Sequence, residues 1–216
     1  MQKNKKIGAF ALCSLAAFIV WTVAISHIDV QAIGPQGSSV GFATVNEFFH
    51  NLTGVHMLVY HITDWLGLVP VAFGFGFAIF GLVQWIGRRS IFRVDADILI
   101  LGAFYLVVMG AYLFFESVVI NYRPVLINGY LEASYPSSTT LLTLCVMPTA
   151  VMQFNRRIQK PVVKKSLSVG ICTFTVFMVL GRLLSGVHWF TDIVGGILLC
   201  AGLVLLYRFF AGLLRK

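Results

Sequence analysis

Apolar residues gather in long runs along this chain, and polar residues punctuate them at near-regular intervals. Six runs stand out: Ile7 to about Ile28, Leu66 to Ile86, Ile98 to about Val119, Ser137 to Phe154, Ser166 to Leu184 and Ile193 to Phe210. Each approaches the ~20 apolar residues with which a helix crosses a hydrocarbon core of roughly 30 Å. The pattern predicts an all-α, polytopic membrane protein with six transmembrane helices. Lysines precede the first run, and Val30-Gln31-Ala32 has the look of a loose cleavage site. The run is longer than the ~7–15 residues of a signal-peptide core, so it reads as a retained span.

The segments between the runs carry their own pattern. Asp29 to Gly41 is a polar, Gly- and Pro-containing loop. After it, Phe48, Leu52, Val55, Val59 and Ile62 recur at helical spacing, with Asn46, His50, Asn51 and Thr53 interleaved. This predicts a short amphipathic helix at the outer face, or a tilted entry to the next span. Thr44-x-x-Glu47 has the form of a capping box at its start. The GFGFGF stretch of the second run alternates small and large residues, which suits close helix packing. Gly87 to Asp97 is a short loop, Asn121 to Tyr135 a polar connection and Asn155 to Lys165 a strongly basic loop.

Composition narrows the class. The chain has 216 residues, 58% hydrophobic and 11% charged, with mean hydropathy +0.88, which excludes disorder and an ordinary soluble domain. One integral-membrane domain over residues 1–216 is expected. A net charge of +8 would suggest nucleic acid in a soluble chain. Here the basic residues sit between spans, so topology explains them and no nucleic-acid partner is expected. Cys13, Cys145, Cys172 and Cys200 lie in apolar runs without metal-ligand spacing and read as packing residues. His50, His56 and His61 lie near one another without a ligand pattern and read as interfacial. No metal or cofactor is expected.

Fourteen of the sixteen Lys and Arg residues fall on one side of the six-span arrangement. The positive-inside rule makes that side cytoplasmic, with both termini there. The two exceptions, Arg123 and Arg182, lie on the outer side with all five histidines. Ionisable residues in membrane-like sequence are costly and point to function.

Three outer-side segments hold the candidate chemistry: Glu116-x6-Arg123-Pro124, Pro136-Ser137-Ser138-Thr139 and Gly181-Arg182-x5-His188-x3-Asp192. Proline suits the first turn of a helix. Ser137, Ser138 and Thr139 would then offer hydroxyls and free N–H groups at a positive helix end, a ready anion site. Two arginine forks match phosphate oxygens. His188 could attack the phosphorus, and Asp192, on the same face of a helix one turn on, could hold the imidazole in the right tautomer. The arginines and the helix end would stabilise the developing charge without a metal.

These segments resemble the three motifs of the type 2 phosphatidic acid phosphatases, K-x6-R-P, P-S-G-H and S-R-x5-H-x3-D, over roughly residues 56–212. The resemblance implies a membrane lipid phosphatase in which His188 forms a phosphohistidine, Asp192 orients it, and Arg123, Arg182 and Ser137 hold the phosphate. Phosphate or vanadate is expected as site ligand and a lipid phosphate or pyrophosphate as substrate, with an isoprenoid pyrophosphate such as undecaprenyl pyrophosphate as the first guess. The expected location is a bacterial plasma membrane, with the site facing outward.

Three positions depart from the motifs. Glu116 stands in place of lysine, Thr139 in place of the second histidine and Gly181 in place of serine. Threonine is a poor acid for protonating a leaving alkoxide. Three readings stay open: a substrate with a good leaving group, a proton supplied by Glu116 or Glu132, or a member that has lost catalysis and binds phospholipid or a partner protein. A lipid phosphotransferase is a further alternative.

Overall fold

The computed structural model describes residues 2–214, so the basic end at Arg215-Lys216 lies outside the described residues. Eight helices follow one another: α1 (Gln2–His27), α2 (Ala43–Thr53), α3 (Met57–Leu66), α4 (Leu68–Arg88), α5 (Ala96–Ser117), α6 (Ser138–Arg157), α7 (Pro161–Leu184) and α8 (Phe190–Leu213). Among the described residues there is no β-strand, as the apolar runs predict.

Five segments are long and apolar enough to cross a membrane: Asn4–His27, Met57–Arg88, Ala96–Ser117, Pro161–Leu184 and Phe190–Leu213. The protein is an integral membrane protein. The fourth expected span, α6, falls short on composition. Buried Thr139, Thr140, Thr143, Thr149 and Gln153 line it, because it packs against α4, α5, α7 and α8 and has little surface to offer lipid.

The hydrophobic core runs between α1, α5, α6 and α8, through Phe18, Leu101, Leu141, Cys145 and Leu203. α1 packs along α8, and Trp21 Nε1 donates to the Thr191 carbonyl at 3.2 Å. Large apolar side chains such as Leu106, Val162 and Phe75 are exposed, as lipid-facing surfaces require. At the end of the bundle far from α6's start, Arg156 and Arg157 each approach Asp97 at 3.0 Å, and Arg88 approaches Asp95 at 2.8 Å. These pairs tie α4, α5 and α6 together where the basic loops emerge.

The single helix expected from Thr44 to Ile62 is two helices, broken at Gly54. Gly54 takes φ 66°, and the backbone turns before Met57. Its capping box does not form either. Phe42, not Thr44, precedes the first turn, and the Thr44 N–H is taken by Asp29 Oδ2 at 2.7 Å. α3 runs almost directly into α4 through Gly67. Pro136 lies one residue before the cap Ser137, not in the first turn of α6.

Candidate active site

Four pieces of chain converge at the start of α6. The first is the Asn121–Ser134 connection, which folds back on itself. Asn128 and Gly129 both take positive φ, 52° and 84°, the two-residue turn that matches strand twist. Arg123 N–H donates to the Glu132 carbonyl at 3.0 Å, and Ser134 N–H to that of Asn121 at 2.9 Å. This hairpin sits on the bundle through Ile127, which packs with Tyr60 and Val187, and through Trp189 Nε1, which donates to the Tyr122 carbonyl at 2.7 Å.

The second piece is the α7–α8 turn. Arg182 ends α7 and His188 precedes α8, so His188 and Asp192 do not share a helix face as expected. Gly186 makes the turn possible. It takes φ 68°, and a Cβ there would come 1.9 Å from the Gly54 carbonyl oxygen. His56 N–H donates to the Ser185 carbonyl at 2.9 Å, fixing this turn on the α2–α3 junction. Asn46 holds the start of α8 from the other side. Its amide donates to Thr191 Oγ1 at 2.9 Å and accepts Thr191 N–H at 3.1 Å.

The third piece is α3, which carries Tyr60, Thr63 and Asp64 to the site. Both guanidiniums lie against the Tyr60 ring, Arg182 at 5.0 Å and Arg123 at 5.8 Å from its centre. Arg182 is 1% exposed and reaches Thr63 Oγ1 at 3.4 Å and Asp64 at 3.6 Å. Arg123 Nε lies 3.1 Å from Glu132 in a charge contact that is not a directed hydrogen bond. Arg123 Nη1 and Arg182 Nε have no hydrogen-bond partner. Two buried cations with spare donors have the chemistry to hold an anion.

Arg182 Nη2 lies 3.3 Å from His188 Nε2. An arginine can only donate, so Nε2 accepts and the imidazole carries its proton on Nδ1. That Nδ1–H points the other way, to the Ser134 carbonyl at 3.2 Å and Ser134 Oγ at 3.1 Å. The Nε2 lone pair therefore faces the arginines. Burial, then Arg123 and Arg182, hold the His188 pKa well below its ordinary value, so the ring stays neutral.

The fourth piece is the start of α6. Ser137 is fully buried and caps the helix, but its hydroxyl bonds no helix N–H. It accepts Thr140 Oγ1–H at 3.1 Å, which leaves its own proton free. Thr139 is buried with its methyl toward Gly67, and Ser138 is half-buried beside Glu116. Glu116 is exposed at the end of α5 and, among the described residues, enters no ion pair. The structure thus pairs Arg123 with Glu132 and Arg182 with His188, brings both arginines onto the Tyr60 ring, sets Asp192 behind His188 on the far side of Ser134, and leaves Glu116 apart at the rim. Tyr60, Thr63, Asp64 and Ser134 belong to the same cluster and were not expected from the sequence. For Asn128-Gly129, the turn signal that would have brought Ser134 beside Arg123 was there to read.

The site is thus a buried arginine pair opposite a neutral histidine, set in an all-helical membrane bundle. The chain belongs to the PAP2 superfamily, the type 2 phosphatidic acid phosphatase family, whose pattern it matches over residues 104–214; it is a membrane protein of the lipid phosphatase class. Its fold is similar to the crystal structure of a transmembrane PAP2-type phosphatidylglycerolphosphate phosphatase from Bacillus subtilis. The TM-score is 0.63 at 17% identity, over 96% of this chain and 98% of that one. No curated protein sequence gives a significant match.

Proposed function

We propose that this protein hydrolyses a lipid phosphate or pyrophosphate through a phosphohistidine on His188. The observation that carries the reading is the His188–Arg182 contact. A neutral imidazole presents its Nε2 lone pair to the place where two arginines would hold a phosphoryl group. In the first step Nε2 bonds to phosphorus and the bond to the leaving oxygen breaks. Arg123, Arg182, the Ser137 hydroxyl and the first-turn N–H groups of α6 take up the charge that develops. Water then attacks the phosphohistidine, releases inorganic phosphate and restores the lone pair.

Two observations favour an isoprenoid pyrophosphate, such as undecaprenyl pyrophosphate. Thr139 cannot protonate an alkoxide, whereas a lipid monophosphate leaves without that help. An apolar groove of about 520 Å³, lined by Phe75, Phe77, Leu101, Leu106, Met109 and Leu142, runs along α4, α5 and α6 and suits a hydrocarbon chain. We read the site as facing outward from a bacterial plasma membrane, with both termini in the cytoplasm; its place away from the basic loops supports that orientation. The chain acts as one membrane domain. Its phosphatase-like core, about residues 56–212, begins before the family match because α3 supplies Tyr60, Thr63 and Asp64.

The test is phosphate release by the purified protein in detergent from an isoprenoid pyrophosphate, a lipid monophosphate and phosphatidic acid, with orthovanadate as competitor. Release from the pyrophosphate that is lost in His188→Ala supports the proposal. Absence of His188-dependent release from all three overturns it in favour of a lipid-binding protein. Release that requires an added hydroxyl acceptor makes the protein a phosphotransferase.

A further inference from the structure

The aspartate expected to orient His188 does not touch it. His188 Nδ1 and Asp192 Oδ2 are 3.8 Å apart, too far for a hydrogen bond. Ser134 stands between them. Its Oγ accepts from His188 Nδ1–H at 3.1 Å and donates to Asp192 Oδ2. Its carbonyl also accepts from Nδ1–H at 3.2 Å. Ser134 is 2% exposed, His188 3% and Asp192 0%, so the series is buried throughout. Asp192 Oδ2 also accepts Trp189 N–H at 2.8 Å, which caps α8 and fixes the carboxylate.

We propose that Ser134 is a positioning residue that links Asp192 to His188, so that the site works through a His–Ser–Asp series and not a direct His–Asp pair. This rests on the reading of His188 as nucleophile. The serine hydroxyl supplies what each neighbour needs: an acceptor for Nδ1–H, and a donor for the carboxylate. When Nε2 bonds to phosphorus, the imidazole becomes a cation that keeps its proton on Nδ1. The Ser134 dipole, polarised by Asp192, then stabilises that charge in a buried site. Ser134 is reached because the hairpin brings it back beside Arg123, so one loop supplies both a phosphate ligand and the anchor of the nucleophile.

Kinetics on the full-length protein in detergent test the series. Ser134→Ala is expected to lower kcat about a hundredfold, the cost of a misplaced reacting group, while KM moves by less than about threefold. Ser134→Thr, which keeps a hydroxyl, is expected to recover most of kcat. The Ser134→Ala/Asp192→Asn double variant is expected to be no slower than the slower single variant, because both changes cut one connection. Near wild-type kcat in Ser134→Ala, or losses that multiply in the double variant, would overturn the proposal.

A second measurement needs no turnover. The Nδ1–H resonance of His188, assigned by its loss in His188→Gln, is followed by NMR. Asp192→Asn is expected to shift it when Ser134 is present and to leave it unmoved in the Ser134→Ala background. Equal shifts in both backgrounds would show direct contact and sink the series. Loss of substrate turnover in His188→Ala is scored separately. A chain without His188-dependent turnover fails as a phosphatase, while the resonance still decides whether Ser134 links the two residues.

Discussion

The methyl of Thr63 occupies the space beside Gly181: a Cβ on that glycine would lie 2.6 Å from Thr63 Cγ2. The Thr63 hydroxyl, on the same side chain, meets Arg182. The family's serine is thus absent here for a packing reason, and a hydroxyl from α3 stands close to where it would be. Gly181→Ser is expected to destabilise by about 1–3 kcal/mol through overpacking and to displace Arg182. Adding Thr63→Ala is expected to restore stability. Thermal unfolding in detergent of both variants checks this; equal losses in the two would show that Thr63 is not the obstruction.

Arg182 bonds His188 and Thr63 with different nitrogens of one fork. A lysine offers a single ammonium and cannot hold both while meeting phosphate. Arg182→Lys is therefore expected to lower kcat/KM by about 10²–10³-fold, as does losing one oriented donor to a developing charge. Arg182→Ala is expected to abolish release. Initial rates of phosphate release measure both.

Glu132 contacts Arg123 where a phosphate would bind. On the proposed mechanism the carboxylate would compete with substrate for that cation. Glu132→Gln is expected to tighten vanadate inhibition several-fold without a large change in kcat. A fall of kcat by about 10²–10⁴-fold would instead assign Glu132 the role of general acid.

The depressed pKa of His188 has opposite consequences for activity and stability. The unfolded chain takes up a proton near the ordinary value of 6.5, while the folded ring stays neutral to lower pH. The stability that comes from keeping His188 neutral is therefore complete above pH 6.5 and declines as pH falls below it. Activity that depends on a neutral His188 is expected to persist through the same window. Wild-type unfolding midpoints are expected to drop more than those of His188→Gln as pH is lowered below 6.5. Parallel curves would show that the ring is not buried neutral.

Thr139 lies in the first turn of α6, at the position of the family's second histidine. Thr139→His is expected to add hydrolysis of lipid monophosphates, whose alkoxide needs a proton, and to change pyrophosphate turnover little. Assaying both substrates with one preparation decides it. No gain on the monophosphate would place the proton donor elsewhere in the site.

Much of this architecture was legible in the sequence because membranes impose a coarse rule. Long apolar runs predicted the helices, and the two arginines set apart from the basic loops led to the cluster around His188. α6 blurs that rule. A helix surrounded by other helices need not be apolar, so its threonines and glutamine hide a buried element behind a polar composition. The His188–Asp192 spacing misled in a different way. It assumes a helix through both residues, whereas the Gly186 turn starts the helix after His188. α3's contribution could not be read at all, since Tyr60 and Thr63 reach the site only through the break at Gly54. Ser134 was within reach, because Asn128-Gly129 announces a hairpin whose returning arm brings Ser134 back beside Arg123.

That hairpin has one more consequence. Arg123 and Ser134 lie on its two arms, joined by backbone bonds and seated by Ile127. On the proposed mechanism, the grip on the phosphate and the tether of the nucleophile would therefore be made or lost together, with no half-assembled site between. Turnover is then expected to depend on the seating of this one loop. A small apolar molecule wedged under Ile127 would act as an inhibitor that resembles neither phosphate nor lipid.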